Sequence, residues 1–230
     1  MTKKEEWLAG TRSAVPIMLG YVPVGIAYGV MARQAGLNTW QTVLMSLTVY
    51  GGASEMMAAG MVAQGAAVLT IVLTTFILNL RHIIMSTCVF NQMQGGRLPV
   101  RMLAAFGVTD ETFAVYTTTA NAPRTPRYFF SMALCSYLSW ALGSWLGAIA
   151  TGLLPPLITA ALGISLYAMF IGLLMPGLHG NGRLAALVVL TALCNTVLCN
   201  VVQLDSGWSM ILSTLGLSLI PISEPTRLQL

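Results

Sequence analysis

Charge is what this sequence has least of. Asp, Glu, Lys and Arg together make up 8% of 230 residues, where a soluble globular domain carries about 25%. So few charges cannot clothe a water-soluble fold of this size, and that class is excluded. Histidine is scarcer still, with two residues, and no His or Cys lies at zinc spacing, so no metal centre is expected. The four cysteines, Cys88, Cys135, Cys194 and Cys199, form no CxxC pair and all sit in apolar runs, where a thiol acts as a small hydrophobe. The GxSxG, HExxH, P-loop and dinucleotide templates are missing. Neither an enzyme nor a bound cofactor is therefore expected. The net charge of +4 is scattered through short loops, whereas a nucleic-acid binder gathers its basic residues on one face.

What fills the chain instead is apolar sequence. Hydrophobic residues make up 56% of it, and the mean hydropathy is +0.77. A helix needs about 20 apolar residues to cross a bilayer core of about 30 Å. Eight candidate stretches occur, at 14–31, 40–61, 66–90, 102–119, 129–151, 157–175, 184–202 and 208–220. The expected fold is all-α, a polytopic helical membrane protein of about eight transmembrane segments. A single permease domain over 1–220 would be followed by a short polar tail over 221–230. Residues 1–12 mix Lys3, Lys4, Glu5, Glu6 and Arg12 with Trp7 and Leu8, and read as a cytoplasmic lead-in rather than a cleavable signal.

With eight crossings and the N-terminus inside, Lys3, Lys4, Arg12, Arg124, Arg127, Arg183 and Arg227 fall on the cytoplasmic side, against Arg33, Arg97 and Arg101 opposite. Seven against three favours that orientation. The fourth stretch is the least hydrophobic, and a re-entrant fourth segment would flip every later loop. A faint internal repeat links 72–79 with 189–195, and Gly20, Gly25 and Gly29 are loosely echoed by Gly143, Gly147 and Gly152. Two repeats with a binding site at their interface are a common plan for transporters; low-complexity apolar sequence produces similar echoes.

Polar residues inside the apolar stretches carry the functional signal, because an ionisable group there needs a partner or a water-filled cavity. Gly51 and Gly52 weaken the second stretch at its centre, leaving either a broken helix that binds a ligand or a tight packing contact. Ser54 follows, and then Glu55, a mid-span carboxyl that is a candidate proton carrier. Asn79, Arg81 and His82 interrupt the third stretch. Arg81 requires an anion, whether Asp110, Glu111, Glu55 or the carboxylate of a substrate. Asp110 and Glu111 are about 100° apart on a helix, so one can pair with Arg81 while the other meets water or a partner. A solvated surface helix is the alternative for that segment.

Four motifs in this order resemble the AzlC family, the large subunit of bacterial branched-chain amino-acid exporters. They are Gly20-Tyr21-Val22-Pro23-Val24-Gly25, Met45-Ser46 with Gly51-Gly52-Ala53-Ser54, Asn79-Leu80-Arg81-His82, and Thr109-Asp110-Glu111-Thr112-Phe113. The resemblance implies a multi-pass permease of the bacterial inner membrane that exports amino acids together with a small hydrophobic AzlD-like subunit. Many relatives carry Gln where this chain has Glu55, which puts branched-chain specificity and proton coupling in question at that position. The expected function is proton-coupled export of branched-chain or other hydrophobic amino acids. Gly51, Gly52, Ser54, Asn79 and Arg81 would bind the substrate, and Glu55, His82, Asp110 and Glu111 would carry the proton or form an internal ion pair. The alternatives are a non-transporting scaffold subunit and a permease for another small solute. A cation channel is disfavoured by Arg81 among the acids.

Overall fold

In the computed structural model, residues 2–119, 122–155 and 182–202 are described continuously, with single positions between 157 and 178 and between 209 and 213. Most of the sixth and eighth apolar stretches, the polar tail, and the side chains of Arg183 and Arg227 lie outside the described residues. Every regular element among the described residues is a helix, as expected for a polytopic membrane protein. The helices are α1 (Lys3–Gln34), α2 (Thr39–Thr48), α3 (Gly52–Ala63), α4 (Val68–Asn79), α5 (Arg81–Gln92), α6 (Leu98–Phe106), α7 (Asp110–Thr118), α8 (Pro126–Ala150) and α9 (Gly182–Asn200).

Two compact units divide them: Met1–Gly65 with Leu78–Tyr167, and Ala66–Ile77 with Ala168–Leu230. Within the second, Ser209 donates to Oδ1 of Asn195 at 2.7 Å, fixing one end of that residue's amide near the end of α9. All the candidate site residues belong to the first unit.

Its frame is the pair α1 and α8. Thr2 and Glu5 form a reciprocal cap that starts α1, and Pro16 and Pro23 do not end it, since neighbouring helices stabilise prolines inside membrane helices. The two helices run parallel. Glu6 is 3.7 Å from Arg127, and Tyr128 donates to Ser13 at 2.8 Å near their N-terminal ends. Further along, a Cβ on Gly25 would stand 3.0 Å from the Trp140 carbonyl oxygen, and one on Gly143 2.6 Å from that of Val22. On Gly29 or Gly147 it would collide with the backbone of Ser144 or Ile26. Small residues let membrane helices approach backbone to backbone. The glycine echo in the sequence therefore corresponds, at these four positions, to the two sides of one interface.

The fourth apolar stretch folds back on itself. Before α6, the Gln94 N–H donates to the Arg124 carbonyl at 2.6 Å, which places the start of this segment beside its finish at the N-terminal end of α8. Between them α6 climbs until the Phe106 ring lies 5.8 Å from Tyr137. From there α7 descends, and Tyr116 packs 5.2 Å from Phe129. Thr109 caps α7 through a reciprocal bond pair with Thr112 and sets the turn. Arg97 and Arg101 consequently lie at the same end as Lys3 and Lys4. That corrects the orientation count, which had put them opposite.

The second stretch is broken as well. The chain turns at Tyr50, whose φ of 47° is left-handed, a conformation that costs a non-glycine residue about 1–2 kcal/mol. α2 descends from Thr42, which accepts from Tyr28 at 3.3 Å, to Leu47, which accepts from Tyr137 at 2.8 Å. Beyond the turn the chain climbs again: Tyr50 lies beside Tyr137, Gly52 against the Trp140 ring, and Glu55 beside Ser46 and Trp140, so α3 retraces the path of α2. Two hairpins thus enter from opposite ends of the α1–α8 frame. With both re-entrant, α8 keeps the direction of α1.

Candidate functional site

The tips of the two hairpins meet at mid-depth. The Tyr50 ring lies 6.0 Å from Phe106, 5.0 Å from Tyr137 and 6.4 Å from Tyr21 of α1. The Tyr21 hydroxyl donates to Glu111 at 2.6 Å and is 2.7 Å from the Thr109 hydroxyl. One tyrosine of the frame therefore touches the tip of each hairpin. Its position follows from the parallel register of α1 against α8.

The junction of α4 and α5 reaches the same level. A Cβ on Gly51 would stand 3.4 Å from Oδ1 of Asn79, so the absence of a side chain there brings the Asn79 amide against the turn. Two residues on, Arg81 pairs with Asp110 at 2.9 Å. Each acid at the start of α7 thus takes a different partner: Asp110 the guanidinium, Glu111 the phenol of Tyr21. Both sit at the helix N-terminus, where the backbone dipole favours negative charge. The His82 Nδ1 lies 3.1 Å from the Asn79 carbonyl, within its own stretch of helix, and Arg81 and Asp110 are the charges that act on its ring.

Glu55 is fully buried and tied to three elements. Oε1 accepts the Gly51 N–H at 2.9 Å. Oε2 accepts Trp140 Nε1–H of α8 at 3.2 Å and lies 3.0 Å from Ser46 Oγ of α2. Ser46 in turn lies 2.7 Å from Ser144. Among the described residues no salt bridge reaches Glu55, the two present being Arg81–Asp110 and Arg127–Glu6.

Not every predicted ligand-binding group is equally available. Ser54 donates to the Gly51 carbonyl at 2.8 Å, and a Cβ on Gly52 would stand 3.0 Å from the Trp140 ring. Among the described residues, Tyr50 Oη at the hairpin tip and Asn79 Oδ1 at the α4–α5 junction are buried with no hydrogen-bond partner. Gly51 carries no side-chain cap for α3 either, so its first-turn N–H groups keep the positive end of the helix dipole. Among the described residues no cluster of His, Cys, Asp and Glu is arranged to hold a metal ion. Sequence reasoning left four residues of this region without a role. Tyr21 and Ser46 stood inside the matched motifs, while Trp140 and Ser144 gave no signal beyond polar groups in an apolar run.

No solved structure matches the chain. It is 33% identical over 188 residues to an uncharacterized membrane protein of Archaeoglobus fulgidus, covering 81% of this chain and 82% of that one. Similarity to the inner membrane protein YgaZ of Escherichia coli reaches 30% over 179 residues, 74% of this chain and 72% of YgaZ. The branched-chain amino acid transport protein AzlC of Bacillus subtilis is 27% identical over 157 residues, 65% and 61% of the two chains. The AzlC protein family model matches residues 16–154, a range that runs from α1 through both hairpins to the end of α8. The protein is a membrane protein of the AzlC family.

Proposed function

We propose that the protein is a secondary transporter that exports branched-chain or other hydrophobic amino acids across the bacterial inner membrane, coupled to protons. It would work as the large subunit beside a small hydrophobic AzlD-like partner, with residues 1–220 acting as one permease. The observation that carries this reading is the convergence, at one depth, of two broken-helix tips with Asn79 and the Arg81–Asp110 pair. Irregular backbone is tolerated at membrane depth where it is buried in protein or lines a polar cavity, and broken helices are a recurring way of binding small charged solutes. The name of the Bacillus subtilis relative supplies the substrate class.

In this reading the uncapped start of α3 at Gly51 and Gly52, with Ser54 at its first turn, takes the substrate carboxylate, and Oδ1 of Asn79 accepts from its ammonium group. The buried faces of Tyr50 and Met56 would meet the apolar side chain. Arg81 holds Asp110 in the closed site and can exchange it for a substrate carboxylate. Glu55, with Asp110 and Glu111 as the other acids of the site, carries the proton. The cytoplasmic side is assigned to the N-terminal end, because Lys3, Lys4, Arg12, Arg97, Arg101, Arg124 and Arg127 gather there and Arg33 lies opposite.

Counterflow of radiolabelled leucine into proteoliposomes, with and without the small subunit, tests the assignment. Exchange that needs this chain and falls about tenfold or more in Asn79→Ala supports it, a loss equivalent to about 1.4 kcal/mol. Exchange by the small subunit alone would make this chain a scaffold.

A further inference from the structure

The contacts around Glu55 contain a hydrogen count that decides more than its burial does. Three oxygen–oxygen contacts run in series. Glu55 Oε2 lies 3.0 Å from Ser46 Oγ, Ser46 Oγ lies 2.7 Å from Ser144 Oγ, and Ser144 Oγ lies 2.9 Å from the Trp140 carbonyl oxygen. Each contact at these distances needs one hydrogen. The two serine hydroxyls bring one each, and a backbone carbonyl brings none. A carboxylate brings none either, so an ionised Glu55 leaves one of the three contacts as two oxygens facing each other without a proton. A neutral carboxyl supplies the third.

The remaining contacts agree with that assignment. Oε1, as the carbonyl oxygen, accepts the Gly51 N–H at 2.9 Å. Oε2, as the hydroxyl, donates to Ser46 while accepting the Trp140 Nε1–H at 3.2 Å. Ser46 then donates to Ser144, and Ser144 to the Trp140 carbonyl. The titratable groups that face Glu55 are phenols, Tyr28 of α1, Tyr50 of the hairpin tip and Tyr137 of α8, so no cation from these elements compensates a negative charge.

We propose that Glu55 holds a proton in this conformation and that Ser46 and Ser144 are the residues that position it. Without the proton the carboxylate still accepts from Ser46, Gly51 and Trp140, but one of the two serine contacts beyond it loses its hydrogen. The site then also holds a charge with no counter-charge, which is strongly unfavourable in a dry interior. The proposal deepens the reading of the chain as a proton-coupled transporter and rests on it for its consequence, though not for its test.

Infrared spectroscopy of the protein reconstituted in lipid at neutral pH, without substrate, reads the proton directly. The wild-type spectrum is expected to contain a carboxylic-acid carbonyl band that is missing from Glu55→Gln, with thermal unfolding showing that both proteins are folded. Ser46→Ala should keep the band and shift it toward the position of a less strongly hydrogen-bonded acid, and Ser144→Ala should shift it less. A purely structural role for the serines would leave the band in place. Identical carbonyl regions in wild type and Glu55→Gln would mean an ionised Glu55 and overturn the proposal. Leucine counterflow on the same samples separates the two ideas. A Glu55 band without counterflow upholds the proton site while removing the transport reading, and counterflow without the band does the reverse.

Discussion

At the scale of single residues, the buried polar groups divide by how fully they are bonded. Glu55 closes three contacts, so its removal orphans the Gly51 N–H and the Trp140 indole together and leaves Ser46 only its contact with Ser144. Leaving one buried donor or acceptor unpaired costs about 1–3 kcal/mol. Glu55→Ala is therefore expected to lower stability by about 2 kcal/mol or more, read as a fall in unfolding temperature in detergent. Glu55→Gln keeps the shape, the acceptor for the Gly51 N–H and one N–H donor toward Ser46, but gives up the acceptor for the Trp140 Nε1–H, so it should lose less stability than Glu55→Ala and still fold. If Glu55 carries the transported proton, that conservative variant loses the pH dependence of export while its expression holds. Proteoliposome export that keeps its full pH profile in Glu55→Gln would remove Glu55 from the proton path. Among the described residues Arg81 is bonded once, to Asp110, and both side chains are partly exposed, at 35% and 20%. Asp110→Asn with Arg81→Ala should recover the stability lost in Arg81→Ala alone, since no charge is left without its partner. Transport recovering as well would show that Arg81 serves only the ion pair.

Elements tell a different story, governed by backbone approach. The α1–α8 interface has no room at Gly29 and Gly147, where a side chain meets the opposing backbone. Overpacking of this kind typically costs about 1–3 kcal/mol, and Gly147→Val should show it as reduced thermal stability and a weaker frame for both hairpins. Gly20→Ala is the matched control, because nothing lies within 4 Å of its added Cβ. A Gly147→Val protein as stable as Gly20→Ala would mean that the two helices do not pack this closely. The hairpins depend on this frame. Tyr21 and Tyr137 reach the tips only because the two parallel helices hold their rings at one level.

For the whole molecule, the paired hairpins make a topological prediction that a simple succession of crossings does not share. In a variant lacking the four native cysteines, Gln94→Cys and Ala122→Cys should react with a membrane-impermeant thiol reagent from the same side as Thr2→Cys. Leu37→Cys should react from the other side. Labelling of Gln94→Cys together with Leu37→Cys would restore eight plain crossings and overturn the re-entrant fourth segment.

The sequence by itself determined the solvent and the class of fold. An 8% charge content and long apolar runs leave only a helical membrane protein, because backbone groups in lipid must be satisfied within each segment. It also picked out Glu55, Asn79, Arg81, Asp110 and Glu111, since a polar residue in an apolar run is visible without coordinates. Hydropathy could not distinguish a crossing from a hairpin, because half-helices that enter and leave at one end are as apolar as one that passes through. Nor could spacing pair residues 88 or 90 positions apart, such as Tyr21 with Thr109 and Glu111, or assign Ser46, Ser144 and Trp140 to Glu55. Those contacts exist only because α1 and α8 pack in parallel and bring the two hairpin tips to one depth. Tertiary structure decided the side on which Arg97 and Arg101 lie, the partner of each acid, and the hydrogen count at Glu55.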